Sequence, residues 1–150
     1  MTTASSHIRI EFELVQDDDG YPPFHSETLW ATPTPDGLWQ IDNIPFYVLG
    51  LALGDVVQVF DAEGALPKFS HVVRDAGHGT IRVVLSQTAD VDRLRTALRD
   101  MGCSTELSQT PLRVAVDVPP TVNFRDVSDF VDGYDQTEVI DYDEGCLPTP

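Results

Sequence analysis

The apolar period of this chain changes once, near residue 90, and the change sets different rules for its two halves. Before it, hydrophobic residues recur every second position. In HIRIEFELVQ, residues 7–16, Ile8, Ile10, Phe12 and Leu14 alternate with His7, Arg9, Glu11 and Glu13. An extended strand sends successive side chains to opposite faces, so the alternation predicts a half-buried antiparallel strand. After residue 90 the spacing becomes helical. Val91, Leu94, Leu98 and Met101 form one apolar stripe, and Phe124, Val127, Val131 and Tyr134 form a second.

Turn chemistry divides the first half. Asp17 to Gly20 ends the first strand, and the proline-bearing YPPFHS is a loop. Glu27 to Thr32 and Leu38 to Asp42 read as two strands of a hairpin joined by PTPDG. Pro45 holds Ile44 out of the helical region, and Phe46 to Leu53 reads as a short helix or a covered loop. Strands follow at 56–60, 67–75 and 80–86, separated by DAEG and AGHG. Short strands with regular turns predict a small barrel or curled sheet for residues 7–79. Trp30 and Trp39, on facing hairpin strands, read as a core pair, with a groove lining as the alternative.

In the second half, Asp90 caps the first helix and Gly102 stops it. Strands at 104–109 and 112–118 meet at Thr110-Pro111, Asn123 caps a second helix, and Glu138 to Tyr142 is a last strand. Counting the strand at 80–86, residues 80–147 run β-α-β-β-α-β, the ferredoxin-like order. The fold class expected is therefore α+β, a β-rich half packed on a ferredoxin-like half, with residues 1–6 a disordered N-terminus and the two halves forming separate domains or one continuous one.

Composition limits function. The chain of 150 residues carries 25 acids and 9 bases, a formal charge of −16. That balance argues against binding to phosphate backbones, which needs clustered Lys and Arg, and favours a basic partner. No apolar run approaches the roughly 20 residues needed to span a bilayer, and no leader pattern opens the chain, so a cytoplasmic protein is expected. Cys103 and Cys146 have no CxxC spacing, which leaves a single bridge open but supports no zinc site. His7, His25, His71 and His78 share no metal-ligand spacing. Neither a metal nor a cofactor is expected.

Glu27 with Leu29-Trp30-Ala31, then Asn43-Ile44-Pro45-Phe46, Gly50-Leu51-Ala52, Gly54-Asp55-Val56-Val57 and Gly77-His78-Gly79-Thr80-Ile81-Arg82-Val83 resemble the bacterial family called domain of unknown function 4265. The resemblance covers roughly residues 8–145. It implies a small bacterial stand-alone protein and assigns no cofactor and no catalytic residue.

Two sets of residues remain as candidate sites. Residues 115–150 hold 9 acids and 1 base. Within them Asp126, Asp129, Asp132 and Asp135 line the outer face of the second helix, followed by Glu138 and Asp141, with Tyr134 and Tyr142 as aromatic anchors. Like charges at this spacing cost helix stability, so a face of this kind fits either solvation or docking of a basic protein. The expected function is thus a non-enzymatic acidic binding domain that captures or neutralises a cationic partner such as a nuclease-like toxin, in the manner of an immunity protein or antitoxin. The alternative is a small-molecule-binding or enzymatic pocket between the halves using Glu27, Trp30, Asp55 and His78. Against it, Gly54-Asp55 reads first as a turn whose carboxylate accepts backbone N–H groups, and His78 sits in a glycine-flanked turn. Cys103, just past a helix stop, reads as packing.

Overall fold

A computed structural model describes residues 7–109 and 111–149, and the chain divides into two units, Met1–Ala76 and Gly77–Pro150. Residues 1–6, expected to be disordered, and Thr110 in the expected 110–111 turn lie outside the described residues. The architecture is α+β, mostly strands with two helices.

The first unit is a closed barrel of β1 (Ile8–Glu13), β2 (Ser26–Pro33), β3 (Trp39–Ile41), β4 (Val56–Phe60) and β5 (Lys68–Arg74). Consecutive strands pair antiparallel, and β1 meets β5 in parallel at Glu11 and Lys68. The seam is fixed by Glu11 N–H donating to the Pro67 carbonyl at 2.9 Å and by the Lys68 Nζ to Glu11 Oε1 bond at 2.8 Å. Register shifts in the β4–β5 ladder, between Val56 and Val57 and between Gln58 and Val59, supply the bend that a five-stranded closure needs. The period-two residues Ile10, Phe12, Leu29, Ala31, Ile41 and Val57 all point inward and are buried with Leu51. Phe12 stacks on Phe69 with centroids 4.7 Å apart.

The segment after Pro45 is a loop, the second of the two forms its sequence allowed. One expectation for this unit is corrected. Trp30 is 45% exposed on the outer wall, because its neighbours Leu29 and Ala31 take the inward positions of β2. Trp39 is opposite Pro33 rather than Trp30, and packs half-buried against the core.

The second unit contains β6 (Gly79–Leu85), α1 (Val91–Asp100), β7 (Ser104–Gln109), β8 (Leu112–Val118), α2 (Phe124–Asp132) and β9 (Val139–Cys146). The strands form one sheet in the order β7-β8-β6-β9, every pair antiparallel. Asp90 accepts the Arg93 N–H at 3.1 Å and Asn123 accepts the Asp126 N–H at 3.1 Å, which are the two expected N-caps. Leu94 and Leu98 of α1 and Val127 and Val131 of α2 join Ile81, Val83, Leu85, Val114, Val116 and Val118 in one core, so both helices cover the same sheet face. Each such side chain buried contributes about 1.5–3 kcal/mol. The last strand runs four residues past the expected end at Tyr142, because Asp143 and Glu144 find partners in Arg82 and Ser128. Among the described residues no helix is long and apolar enough to cross a membrane.

Candidate functional site

The acidic helix α2 presents Asp126, Asp129 and Asp132 to solvent, with Asp135 exposed just beyond it. Several members of the expected acidic set are also tied within the chain. Asp132 accepts the Tyr142 hydroxyl at 3.0 Å, which pushes the Tyr142 phenol up. Asp135 accepts the Thr137 hydroxyl at 2.7 Å and the Thr137 N–H at 2.9 Å, which hold its carboxyl below the usual range. Glu138 bridges two elements: it accepts the Asp90 N–H at 3.0 Å and the Arg93 guanidinium at 2.8 Å. Asp141 is exposed and accepts its neighbour's N–H at 2.9 Å.

These residues surround two depressions. The larger, a groove of about 520 Å³, lies between the helices and is lined by Arg93 and Ala97 of α1, Asp129 and Phe130 of α2, and Gly133, Tyr134 and Asp135. Phe130 and Tyr134 meet edge to face with centroids 5.4 Å apart, and the Arg93 guanidinium lies 5.5 Å from the Tyr134 centroid. A smaller depression of about 280 Å³, lined by Asp132, Tyr134, Asp141 and Tyr142 among others, adjoins it through Tyr134. The structure therefore gathers six of the eight expected partner-binding residues around two hollows that share one aromatic ring. Asp126 and Glu138 line neither.

The alternative set is spent differently. The Glu27 carboxylate accepts three backbone N–H groups, from Phe46 at 2.7 Å, Tyr47 at 2.9 Å and Val48 at 3.0 Å. Asp55, buried, accepts from Ala52 at 3.0 Å and Ala76 at 2.9 Å, which is the turn role read from Gly54-Asp55. Trp30 sits on the barrel's outer wall beneath Arg9, beside a shallow hollow lined by His7, Asp42 and Asn43. Its own N–H donates to Asn43 Oδ1 at 2.6 Å. Glu27 shares the strand parity of the inward Leu29 and Ala31, so it and Trp30 face opposite sides of β2.

His78 belongs to the second unit, where its Nδ1 lies 2.9 Å from each carboxylate oxygen of Asp117. Asp117 was not singled out by sequence, nor were Arg82 and Arg113. All three are buried, and they share the sheet face opposite the helices. Arg82 Nε donates to Asp143 Oδ1 at 2.6 Å, and its guanidinium lies across Gly145, where a Cβ would force it to shift. The available signal was the period of two in Leu112–Val118, which sets Arg113, Ala115 and Asp117 against a run of apolar residues on the other face. Cys103 is buried and its thiol is pushed up to about 11 by burial and by the Asp117 charge, which agrees with a packing role. Both cysteines are free thiols. Among the described residues no cluster of three or more His, Cys, Asp or Glu side chains could hold a metal.

No curated protein matches the chain. Among solved structures, a hypothetical protein from Neisseria gonorrhoeae is similar, with a TM-score of 0.77 and 22% identity over 100% of each chain. At that identity the likeness speaks to the fold alone. A family model described as Domain of unknown function (DUF4265) matches residues 27–142, most of the sequence. The chain belongs to that family.

Proposed function

We propose that this protein is a non-enzymatic binding domain whose helical layer receives a basic segment of a partner protein. The observation that carries the reading is the α1–α2 groove. It offers an aromatic floor of Phe130 and Tyr134 and an acidic rim of Asp129 and Asp135, in a chain of formal charge −16. Apolar floor and charged rim are the ingredients of a docking site in which aromatic side chains anchor and charges steer. An antitoxin-like or immunity-like inhibitor of a cationic protein is one instance of this role.

The ferredoxin-like reading of the second unit belongs to the same proposal. Its element order β6-α1-β7-β8-α2-β9 and the antiparallel order β7-β8-β6-β9 support it. In that arrangement the helices form an outer layer on one face of the sheet, which leaves the groove between them for a partner.

The test is a titration of the full chain with a capped peptide of alternating glycine and lysine, followed by amide shifts in NMR. Shifts should concentrate in α1, α2 and residues 133–135. Asp129→Asn with Asp135→Asn should weaken binding by about threefold to tenfold at low salt, and the difference should vanish at high salt, where exposed charges are screened. Shifts that fall elsewhere, or failure of both this peptide and its arginine counterpart to bind, refute the reading.

A further inference from the structure

We infer that the α1–α2 groove is an arginine socket, one edge of which is held at rest by the chain's own Arg93, and that the partner group it takes is therefore a guanidinium. The inference rests on the docking role proposed for this face and narrows it to one side-chain chemistry.

Arg93 already displays the recognition. Its guanidinium lies 5.5 Å from the Tyr134 centroid and donates to Glu138 Oε2 at 2.8 Å. The Tyr134 ring is itself held edge-on by Phe130. A ring fixed in this way, beside a carboxylate, suits a planar cation that can stack and donate at once. Arginine does both, whereas the lysine ammonium is a compact, strongly hydrated point charge with no plane to stack.

The hold on Arg93 is exchangeable. Its side chain is 57% exposed, and an ion pair this open to water contributes little. The groove also has room beside it. Ala97 stands one turn from Arg93 on α1, Gly133 lies across from it, and neither fills the space. The Tyr134 hydroxyl is buried beside the Arg93 guanidinium and, with Glu138, favours its charged form, so an incoming guanidinium that displaces Arg93 inherits that oxygen as an acceptor. Asp129 and Asp135, on the rim, supply the counter-charge that an incoming arginine needs. Together these features describe a site built for a guanidinium and occupied by one that can be exchanged.

The test uses the full chain and three capped peptides of equal length, glycine alternating with arginine, lysine or glutamate, with affinity read by NMR titration. The arginine peptide should bind about fivefold tighter than the lysine peptide, and the glutamate peptide should not bind. Arg93→Ala vacates the socket and should strengthen arginine-peptide binding by about threefold or more. Arg125→Ala is the control. Arg125 is exposed on α2, outside the groove lining, and its loss changes net charge by the same amount. Arg93→Gln, which keeps the stem, replaces the alanine variant if thermal melting shows that variant unfolded. Ala97→Leu fills the groove and should abolish the arginine preference. Equal binding of arginine and lysine peptides overturns the socket while leaving the docking role standing, and binding of neither overturns both. If Arg93→Ala gains no more than Arg125→Ala, self-occupancy is wrong.

Discussion

His78 Nδ1 lies 2.9 Å from both carboxylate oxygens of Asp117, which is 3% exposed, whereas the His78 side chain is 21% exposed. The carboxylate accepts, so Nδ1 carries the hydrogen. This pairing ties the turn before β6 to the neighbouring strand β8. Removing Asp117 leaves the His78 N–H without this acceptor, whereas removing His78 takes one donor from a buried carboxylate that has other partners. Asp117→Ala should therefore cost about 3 kcal/mol and His78→Ala about 1–2 kcal/mol. Urea unfolding followed by fluorescence reads both, and an Asp117→Ala loss under about 0.5 kcal/mol would show that the pair holds nothing.

Glu27 makes a sharper local prediction. Its two oxygens take three consecutive N–H groups, of Phe46, Tyr47 and Val48, directly after Pro45. A loop has no ladder to satisfy its own amides, so this carboxylate substitutes for one. Glu27→Gln replaces one acceptor by a donor facing those amides and should cost about 2 kcal/mol. Hydrogen exchange should quicken at Phe46, Tyr47 and Val48 ahead of the barrel strands. Uniform exchange across the barrel would instead mean that the loop is held by its apolar contacts.

Sequence carried the element boundaries well because their causes are local. Asp90 and Asn123 cap helices through bonds three residues long, and Val56–Phe60, Ser104–Gln109 and Leu112–Val118 are bounded by turn residues. What it did not carry depends on pairs far apart in the chain. The barrel seam joins Lys68 to Glu11 across 57 positions, and the last strand gains four residues because Arg82 meets Asp143 across 61. An acidic run such as Asp141 to Glu144 looks like a solvated tail until its cations are placed. The candidate site follows the same division. The acidic face of α2 could be read from helical spacing, but that Glu138 is committed to Arg93, and that Phe130 and Tyr134 floor a groove, needed α1 and α2 side by side. Glu27 and Asp55 drew notice as carboxylates, and one-dimensional pattern cannot tell a reactive carboxylate from one spent on amides.

The barrel also makes a prediction about pH. Asp36 has its carboxyl lowered from 3.8 to about 2, chiefly by the hydrogen bond from Arg74, at 2.8 Å, and next by the Thr34 hydroxyl. Because the folded value lies below the unfolded one, the stabilisation is fully present above about pH 4 and is lost as pH falls through about 2. Carboxylate carbon shifts should place the Asp36 midpoint near 2 in the folded chain. Arg74→Ala should move it back toward 3.8. An unchanged midpoint in that variant would assign the shift to Thr34.

Gly145 tests the buried charged layer of the second sheet most directly. It lies in β9, on strand backbone that alanine accepts as readily as glycine, so any penalty must come from what its Cβ would strike. That is the Arg82 guanidinium, which lies across the glycine while its Nε holds Asp143 at 2.6 Å. Arg82 is 2% exposed and cannot swing into water without breaking the pair. Gly145→Ala should therefore cost about 2–3 kcal/mol through forced repacking. The penalty should depend on the arginine. In an Arg82→Ala background the obstruction is gone, and adding Gly145→Ala should cost under about 0.5 kcal/mol, so that the double-mutant cycle returns nearly the whole penalty as coupling. If the two changes add independently, the glycine serves the strand's backbone rather than the arginine, and the layer is held together by the ladder alone.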